Sequence, residues 1–431
     1  MRPLHELTAS EATDLLGRGE VTAEALVRAC LERIEALEPR VLAFQALDVD
    51  LALRAARRAD AAGRPGPLHG LPVGVKDVID TADLPTERGS PVFAGRRPES
   101  DAACVASLRR AGGIVLGKTV TTELAFYFPG RTRNPHDPSR TPGGSSSGSA
   151  AAVAARMVPA ALGTQTAGSL VRPAAYCGVV ALKPSHGLLP LGGVSPFAPS
   201  LDTLGVMTRS ASDLRLLMAG LGAALPPVPA PARLRVGLCR TEAWDATLPA
   251  SREAVARAAQ ALAAGGAEVA DVEERFQGLS DAQRTVMAAE GAVALGPLRA
   301  AHGARLSPQL RAILDEGHAV SPAALATARA LADEARARLP ALFARFDILL
   351  GASTTGEAPQ GLGSTGDPAL NRIWTLLGLP CVQLPAGRGP AGMPVGVQLV
   401  GPPHGDAVLC AAAVLTERSL LAAGLGPTFP E

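Results

Sequence analysis

The sequence has 431 residues, enough for one large domain or two ordinary ones. Its 41 Lys and Arg against 40 Asp and Glu leave a formal charge of +1, so no uniform basic field draws it to nucleic acid or to an anionic membrane surface. Aromatic residues make up only 3%, and the six cysteines form neither a C-x-x-C pair nor a Cys/His cluster, which argues against base-stacking platforms and zinc sites and marks the cysteines as reduced core thiols.

The first sixteen residues carry His5, Glu6, Glu11 and Asp14 where a signal peptide needs an apolar run. No uninterrupted apolar run further on reaches membrane-spanning length, so the expectation is a soluble, cytoplasmic protein. Thr8-Ala-Ser-Glu11 is a capping-box pattern, and Thr22 opens a second helix with Leu26, Cys30, Ile34 and Leu37 on one face before Pro39. Ala52 to Ala62 reads as helix, Gly63 to Gly66 as a turn, and Leu71 to Ile79 as a buried strand containing Lys76. A helix from Asp101 to Ala111 leads into a short strand, Gly113 to Leu116. Arg140 to Gly148 is a loop by composition, followed by an Ala-rich helix, Ser149 to Met157, and a strand from Ala160 to Thr166. That strand turns at Ala167-Gly168-Ser169 into the segment Leu170 to Cys177.

Pro226 to Pro231 is the best linker candidate, yet Leu234-Arg-Val-Gly-Leu beyond it reads as a strand returning to the same sheet. Residues 251–345 read as mostly helical, ahead of strands at Asp347 to Leu350 and Pro394 to Val400. Helix alternating with apolar strand is the pattern of an α/β sheet. The expectation is one domain spanning 1–431: N-terminal helices to residue 65, a core of 66–220, a helical cap of about 245–345, and a C-terminal core segment from 346.

Three motifs compete for the chemistry. Gly112-x-x-x-x-Gly117-Lys118-Thr119 matches the nucleotide P-loop pattern, but a helix precedes it and Ile114-Val115-Leu116 is itself the strand. The alternative is a helix C-cap, a strand and a surface Lys118. Gly144-Ser145-Ser146-Ser147-Gly148 fits the G-x-S-x-G nucleophile elbow, but its lead-in from Asn134 is rich in turn formers, and Asp367 with His404 is the one tolerable acid–histidine pair downstream.

The third is a constellation: Lys76 inside an apolar strand, the Ser/Gly loop holding Ser145, and Ser169 at a Gly-rich strand-to-helix turn. Among Val73, Val75 and Val78 a lysine loses solvation, which lowers its pKa and fits it to act as a neutral general base. A serine nucleophile needs such a base, and a second hydroxyl can relay the proton across a gap too wide for one hydrogen bond. Backbone N–H groups of Thr166, Ala167, Gly168 and Ser169, gathered in a tight turn, can face a developing oxyanion; the alternative is that Lys76 snorkels from a strand end and the Ser/Gly loops are only turns.

The blocks Gly70-Leu-Pro-Val-Gly-Val-Lys76-Asp, Thr141-Pro-Gly-Gly-Ser-Ser-Ser-Gly-Ser, Leu162-Gly-Thr-Gln-Thr-Ala-Gly-Ser169 and Cys177-Gly-Val-Val-Ala-Leu-Lys-Pro-Ser, in this order, resemble the hallmark motifs of the amidase signature family. Ser200-Leu-Asp-Thr-Leu-Gly, Leu379-Pro-Cys-Val-Gln-Leu-Pro and Met393-Pro-Val-Gly-Val-Gln-Leu extend the likeness across nearly the whole chain. The resemblance implies a single α/β/α sandwich around a large mixed β-sheet, with no metal or organic cofactor. It also implies Ser169 as nucleophile, Ser145 following a cis bond from Gly144, and Lys76 as the base.

Four departures bear on substrate. Ala167 replaces the usual glycine of the oxyanion turn, Gln165 stands where many relatives carry Asp, and Ser147 where many carry Gly. Arg172 falls three residues after Ser169 where many relatives place an Arg two residues after, an arrangement similar to malonamidase-type members in which this Arg clamps a substrate carboxylate. The alternative is an Arg buried for structure at the start of a helix. The expected activity is hydrolysis of a small amide, malonamate-like if it bears a carboxylate, to acid and ammonia, with Arg172 and Gly144 at the substrate and a homodimer allowed. The other reading of the same motifs is the A-type component of a tRNA-dependent amidotransferase, a glutaminase supplying ammonia to a partner.

Overall fold

The computed structural model describes residues 2–63, 66–228 and 233–430. Eleven strands form one mixed sheet: β1 (Phe44–Leu47), β2 (Pro72–Lys76), β3 (Ile114–Thr119), β4 (Ala160–Gln165), β5 (Val180–Lys183), β6 (Thr203–Thr208), β7 (Arg235–Cys239), β8 (Glu268–Val272), β9 (Ile348–Ala352), β10 (Cys381–Arg388) and β11 (Pro394–Val400). Their order across the sheet is β1-β3-β2-β4-β6-β5-β10-β11-β9-β7-β8. β3, β2 and β4 run parallel at one side and β8, β7 and β9 at the other, joined by antiparallel pairings through β6, β5, β10 and β11.

Side-chain alternation along the strands divides the interior into two cores, as the two-residue period of a strand requires. Ile348, Leu350, Val382 and Leu399 join one core, with Val255 and Ala258 of helix Pro249–Ala264 and Leu409 and Ala413 of helix Asp406–Ala422. Their neighbours Leu349, Cys381 and Val400 point the other way, into a second core with Met287, Leu310, Leu339 and Trp374. The result is a three-layer α/β/α domain. β7 rejoins the sheet beside β9, so the chain after the Pro-rich stretch belongs to the same domain; residues 229–231 of that stretch, and 64–65 of the Gly63 to Gly66 turn, lie outside the described residues.

Several sequence expectations shift. The region read as a helical cap holds the edge strand β8, and its helices Leu279–His302, Pro308–Ala319 and Pro322–Arg345 form a layer packed into the second core. The capping box at Thr8 and the cap at Thr22 are present, but the second helix runs from Ala23 to Val41 through Pro39. The strand after Gly113 extends to Thr119, which puts Lys118 inside β3 instead of on the surface. Lys118 is wholly buried, its Nζ 3.3 Å from Asp77 Oδ1 and 2.8 Å from the Ile79 carbonyl. No α-helix follows it directly, so the phosphate-loop reading fails. All six cysteines are free and buried.

Candidate active site

Parallel strands β2 and β4 lie side by side, with Val75 opposite Leu162, and both end at the same edge of the sheet. Open α/β sheets place their sites at the carboxyl ends of parallel strands. Lys76 is the last residue of β2, and the turn holding Ser169 leaves the end of β4. The Ser/Gly loop enters from the side: the Gly144–Ser145 peptide is cis, and the helix Ser147–Ala154 starts directly after it. That helix begins two residues earlier than its Ala-rich text suggests.

Lys76 is wholly buried, and its Nζ lies 2.7 Å from both Ser145 Oγ and Thr164 Oγ1. Burial pushes its pKa well below the usual lysine value; the Asp202 carboxylate opposes that shift and the Arg172 guanidinium adds to it. A neutral amine here accepts from the Ser145 hydroxyl while donating to Thr164. Ser145, Ser169, Thr166, Ala167 and Arg172 line one cavity, with Thr122, Tyr127, Phe197, Met287 and Thr365 around them. Among the described residues the Ser169 hydroxyl has no hydrogen-bond partner. Catalytic hydrogen bonds of unliganded sites commonly close only when substrate binds.

The turn after β4 is held from all sides. Gln165 Oε1 accepts from the Leu170 and Val171 N–H groups, Thr166 Oγ1 donates to Asp202 Oδ1 at 2.5 Å, and Ser146 N–H donates to the Ser169 carbonyl. Asp202 also accepts from the N–H groups of Phe197 and Ala198, and burial pushes its pKa up to about 6. The N–H groups of Ala167, Gly168 and Ser169 donate to no protein group among the described residues. Ala167 sits without a positive φ, so a side chain fits there. A Cβ on Gly168 would lie 2.5 Å from Asn371 Oδ1 and 2.8 Å from Pro368 Cβ, so the turn tolerates none.

Arg172 is 2% exposed. One guanidinium nitrogen, Nη2, donates to the Gly144 carbonyl at 2.7 Å and to Thr365 Oγ1 at 3.3 Å, and the guanidinium lies 5.8 Å from the Tyr127 ring centroid. Its Nε and Nη1 are buried without partners among the described residues. The acid–histidine pair of the nucleophile-elbow reading is not assembled: Asp367 lies beside Arg372, and His404 lines a separate groove with His186.

The chain is similar to known proteins in sequence and fold. The amidase family model covers residues 25–410. The chain belongs to the amidase signature family. The A-type component of the glutamyl-tRNA(Gln) amidotransferase of Chloroflexus aggregans (strain MD-66 / DSM 9485) is 35% identical to it over 471 residues, covering 95% of each chain. The protein of the same name from Rhodopirellula baltica (strain DSM 10527 / NCIMB 13988 / SH1) is 35% identical over 97% of this chain and 95% of its own. Among solved structures, an amidase superposes with TM-score 0.88 at 32% identity over 97% of this chain and 100% of its own. The peptide amidase of Stenotrophomonas maltophilia gives 0.82 at 30% identity over 100% and 99%. As a member of this amidase family the protein is a hydrolase acting on carbon–nitrogen bonds.

Thr164, Asp202, Tyr127 and Thr365 are site residues to which sequence reasoning assigns no role. The alternation Thr164-Gln165-Thr166 on a strand puts both threonines on one face, a signal that could have found Thr164 beside Lys76. Tyr127 and Thr365 arrive from distant segments with no local mark.

Proposed function

We propose that the protein cleaves the C–N bond of a small primary amide through an acyl-serine intermediate: R–CO–NH2 + H2O gives R–COOH + NH3. The observation that carries this reading is the wholly buried Lys76 Nζ at 2.7 Å from the Oγ of Ser145, a residue that lines the same cavity as Ser169. Neutral Lys76 takes the Ser145 proton as Ser145 takes that of Ser169, and Ser169 Oγ bonds to the amide carbon. The N–H groups of the 166–169 turn face the oxyanion. The relay then runs backwards: a proton passes to the leaving nitrogen, the C–N bond breaks, and ammonia departs. Water, deprotonated through the same relay, attacks the acyl ester and releases the acid and Ser169.

The two partnerless donors of Arg172, buried at the cavity wall, support a substrate that carries a carboxylate. Two versions fit: a free-standing enzyme for a malonamate-like amide, or a glutaminase that hands ammonia to a partner protein. The comparisons support the second better, since relatives across nearly the full length are named as A-type components of amidotransferases. Such names also favour a heteromeric partner over a plain homodimer.

Ammonia release should be measured on glutamine, malonamate and neutral malonamide, for the chain alone and with co-expressed B-type and C-type amidotransferase components. Glutamine turnover that rises with those components supports the heteromeric reading; malonamate turnover by the chain alone supports the free-standing one. Ser169→Ala should abolish either. Retained turnover in purified Ser169→Ala protein would refute the acyl-serine mechanism.

A further inference from the structure

The N–H groups of Ala167, Gly168 and Ser169 each belong to a peptide unit whose carbonyl oxygen lies on the residue before: Thr166, Ala167 and Gly168. Because the amide is planar and trans, its C=O and N–H point in opposite directions. Whatever holds the carbonyl therefore aims the N–H. The Gly168 carbonyl is held locally, accepting the Arg172 backbone N–H at 2.9 Å. The other two are held by side chains more than a hundred residues away. Gln283 Nε2 donates to the Thr166 carbonyl at 2.9 Å, and Thr375 Oγ1 donates to the Ala167 carbonyl at 2.8 Å.

We propose that Gln283 and Thr375 are positioning residues of the oxyanion turn, Gln283 aiming the Ala167 N–H and Thr375 aiming the Gly168 N–H at the reacting carbonyl. The proposal rests on the reading of residues 166–169 as the oxyanion site. Both bonds act on the peptide units whose N–H groups are left without a protein acceptor among the described residues. A donor on the carbonyl also polarises the amide and strengthens its N–H as a donor.

Gln283 is hard to explain as a packing residue. It is wholly buried on helix Leu279–His302, and its Oε1 has no hydrogen-bond partner among the described residues. A buried amide left half-satisfied weakens the fold, and an apolar side chain of the same length would avoid that penalty. Its neighbours face the same way: Leu279, Met287 and Gly291 follow at four-residue intervals, Met287 lines the cavity, and a Cβ on Gly291 would lie 3.0 Å from the ring of Phe197. The helix thus comes close enough for Gln283 to touch the turn. Thr375 carries a second link, since its hydroxyl accepts from Gln165 Nε2 at 3.0 Å, and Gln165 in turn holds the Leu170 and Val171 N–H groups.

The test uses p-nitrophenyl acetate, whose transfer to Ser169 passes through the same oxyanion, on the full-length chain. Gln283→Met and Thr375→Val should each lower kcat roughly ten- to hundredfold, short of the loss from deleting an oxyanion donor outright. KM should stay within about twofold, because the ground-state ester makes little use of aimed N–H groups. Inhibition by phenylboronic acid, which forms a tetrahedral anion on the serine, should weaken in parallel with kcat. Thr375→Ser should restore kcat, and Gln283→Met should melt no lower than wild type. Wild-type kcat in Gln283→Met, or a loss in Thr375→Val that follows a lowered Tm and is not rescued in Thr375→Ser, would overturn the proposal. Ester turnover that survives Ser169→Ala would instead overturn the site reading beneath it.

Discussion

Lys118 Nζ and Asp77 Oδ1 stand 3.3 Å apart with both side chains wholly shut from solvent, and Asp77 is the residue directly after Lys76. Lys76 ends β2 and Asp77 opens the turn after it, and the two side chains meet different partners, Ser145 and Lys118. Lys118 also donates to the Thr86 hydroxyl and the Ile79 carbonyl, and Asp77 Oδ2 accepts the Glu87 N–H, so the pair fixes the segment that follows β2.

The first prediction follows from that burial. Lys118→Ala should destabilise the protein by about 3–5 kcal/mol, because it strands the Asp77 carboxylate without its cation. The double variant Lys118→Met/Asp77→Leu should recover part of the loss. Denaturant melts give both values, and ATP should leave the wild-type Tm unchanged. An Lys118→Ala protein as stable as wild type would contradict a structural role for the pair.

The place of Lys118 shows how far the sequence can be read. Lys76 and Lys118 both sit in short apolar strands, and a strand pattern marks each as unusual without saying what meets its head group. A chain of motifs around Lys76 is what points to the role proposed for it. A strand ended at Leu116, where the apolar run stops, leaves Lys118 two residues outside it and so exposed. The alternation of helix and strand makes the layered sheet legible, and the hallmark blocks that hold Ser145 and Ser169 mark the two residues that line one cavity. What stays illegible is contact between segments far apart in sequence: Asp202 on Thr166, Gln283 and Thr375 on the turn, and Tyr127 and Thr365 around Arg172. Those depend on which helix packs where, and hydrophobic periodicity gives a helix its buried face but not its neighbour.

The second prediction concerns pH. Burial holds the folded pKa of Lys76 below its unfolded value. Only the neutral amine can accept the Ser145 proton, so kcat should rise with pH through that lowered pKa and level off above it. A rate falling between neutral and mildly alkaline pH would argue against a lysine base. The same shift sets a stability slope. Between the lowered folded pKa and the unfolded value the unfolded chain binds more protons, so unfolding free energy rises with pH across that window. Lys76→Met should remove this slope while abolishing most activity, and parallel denaturant melts at neutral and alkaline pH will read it.

A third prediction separates the two small residues of the turn. Gly168→Ala brings a Cβ to 2.5 Å from Asn371 Oδ1, so the turn or the helix Ala369–Leu376 must shift. Overpacking of this kind costs about 1–3 kcal/mol, and displacement of the adjacent N–H groups should depress kcat more than stability alone accounts for. Ala167→Gly, which adds no atom, should keep a native-like fold. Equal activity in Gly168→Ala and wild type would mean the turn has room that the geometry does not give it.

The last prediction concerns Arg172, which does two things at once. Its Nη2 holds the Gly144 carbonyl, next to Ser145, while Nε and Nη1 find no partner among the described residues. Removing the guanidinium should therefore harm every substrate somewhat, through Ser145, and a carboxylate-bearing amide far more. The informative quantity is a ratio. If wild type prefers malonamate or glutamine over a neutral amide of like size, Arg172→Met should shrink that preference in kcat/KM by about 2–5 kcal/mol, the range for losing one partner of a buried charge pair. Arg172→Lys should restore only part of it, because an ammonium keeps the charge but loses the planar arrangement of donors that serves Gly144 and an anion together. Subtracting the neutral-amide loss isolates the charge from the shared damage at Ser145. A uniform drop on charged and neutral amides alike, with a lowered Tm, would leave Arg172 as a support for the Ser145 loop alone and remove the carboxylate from the substrate's description.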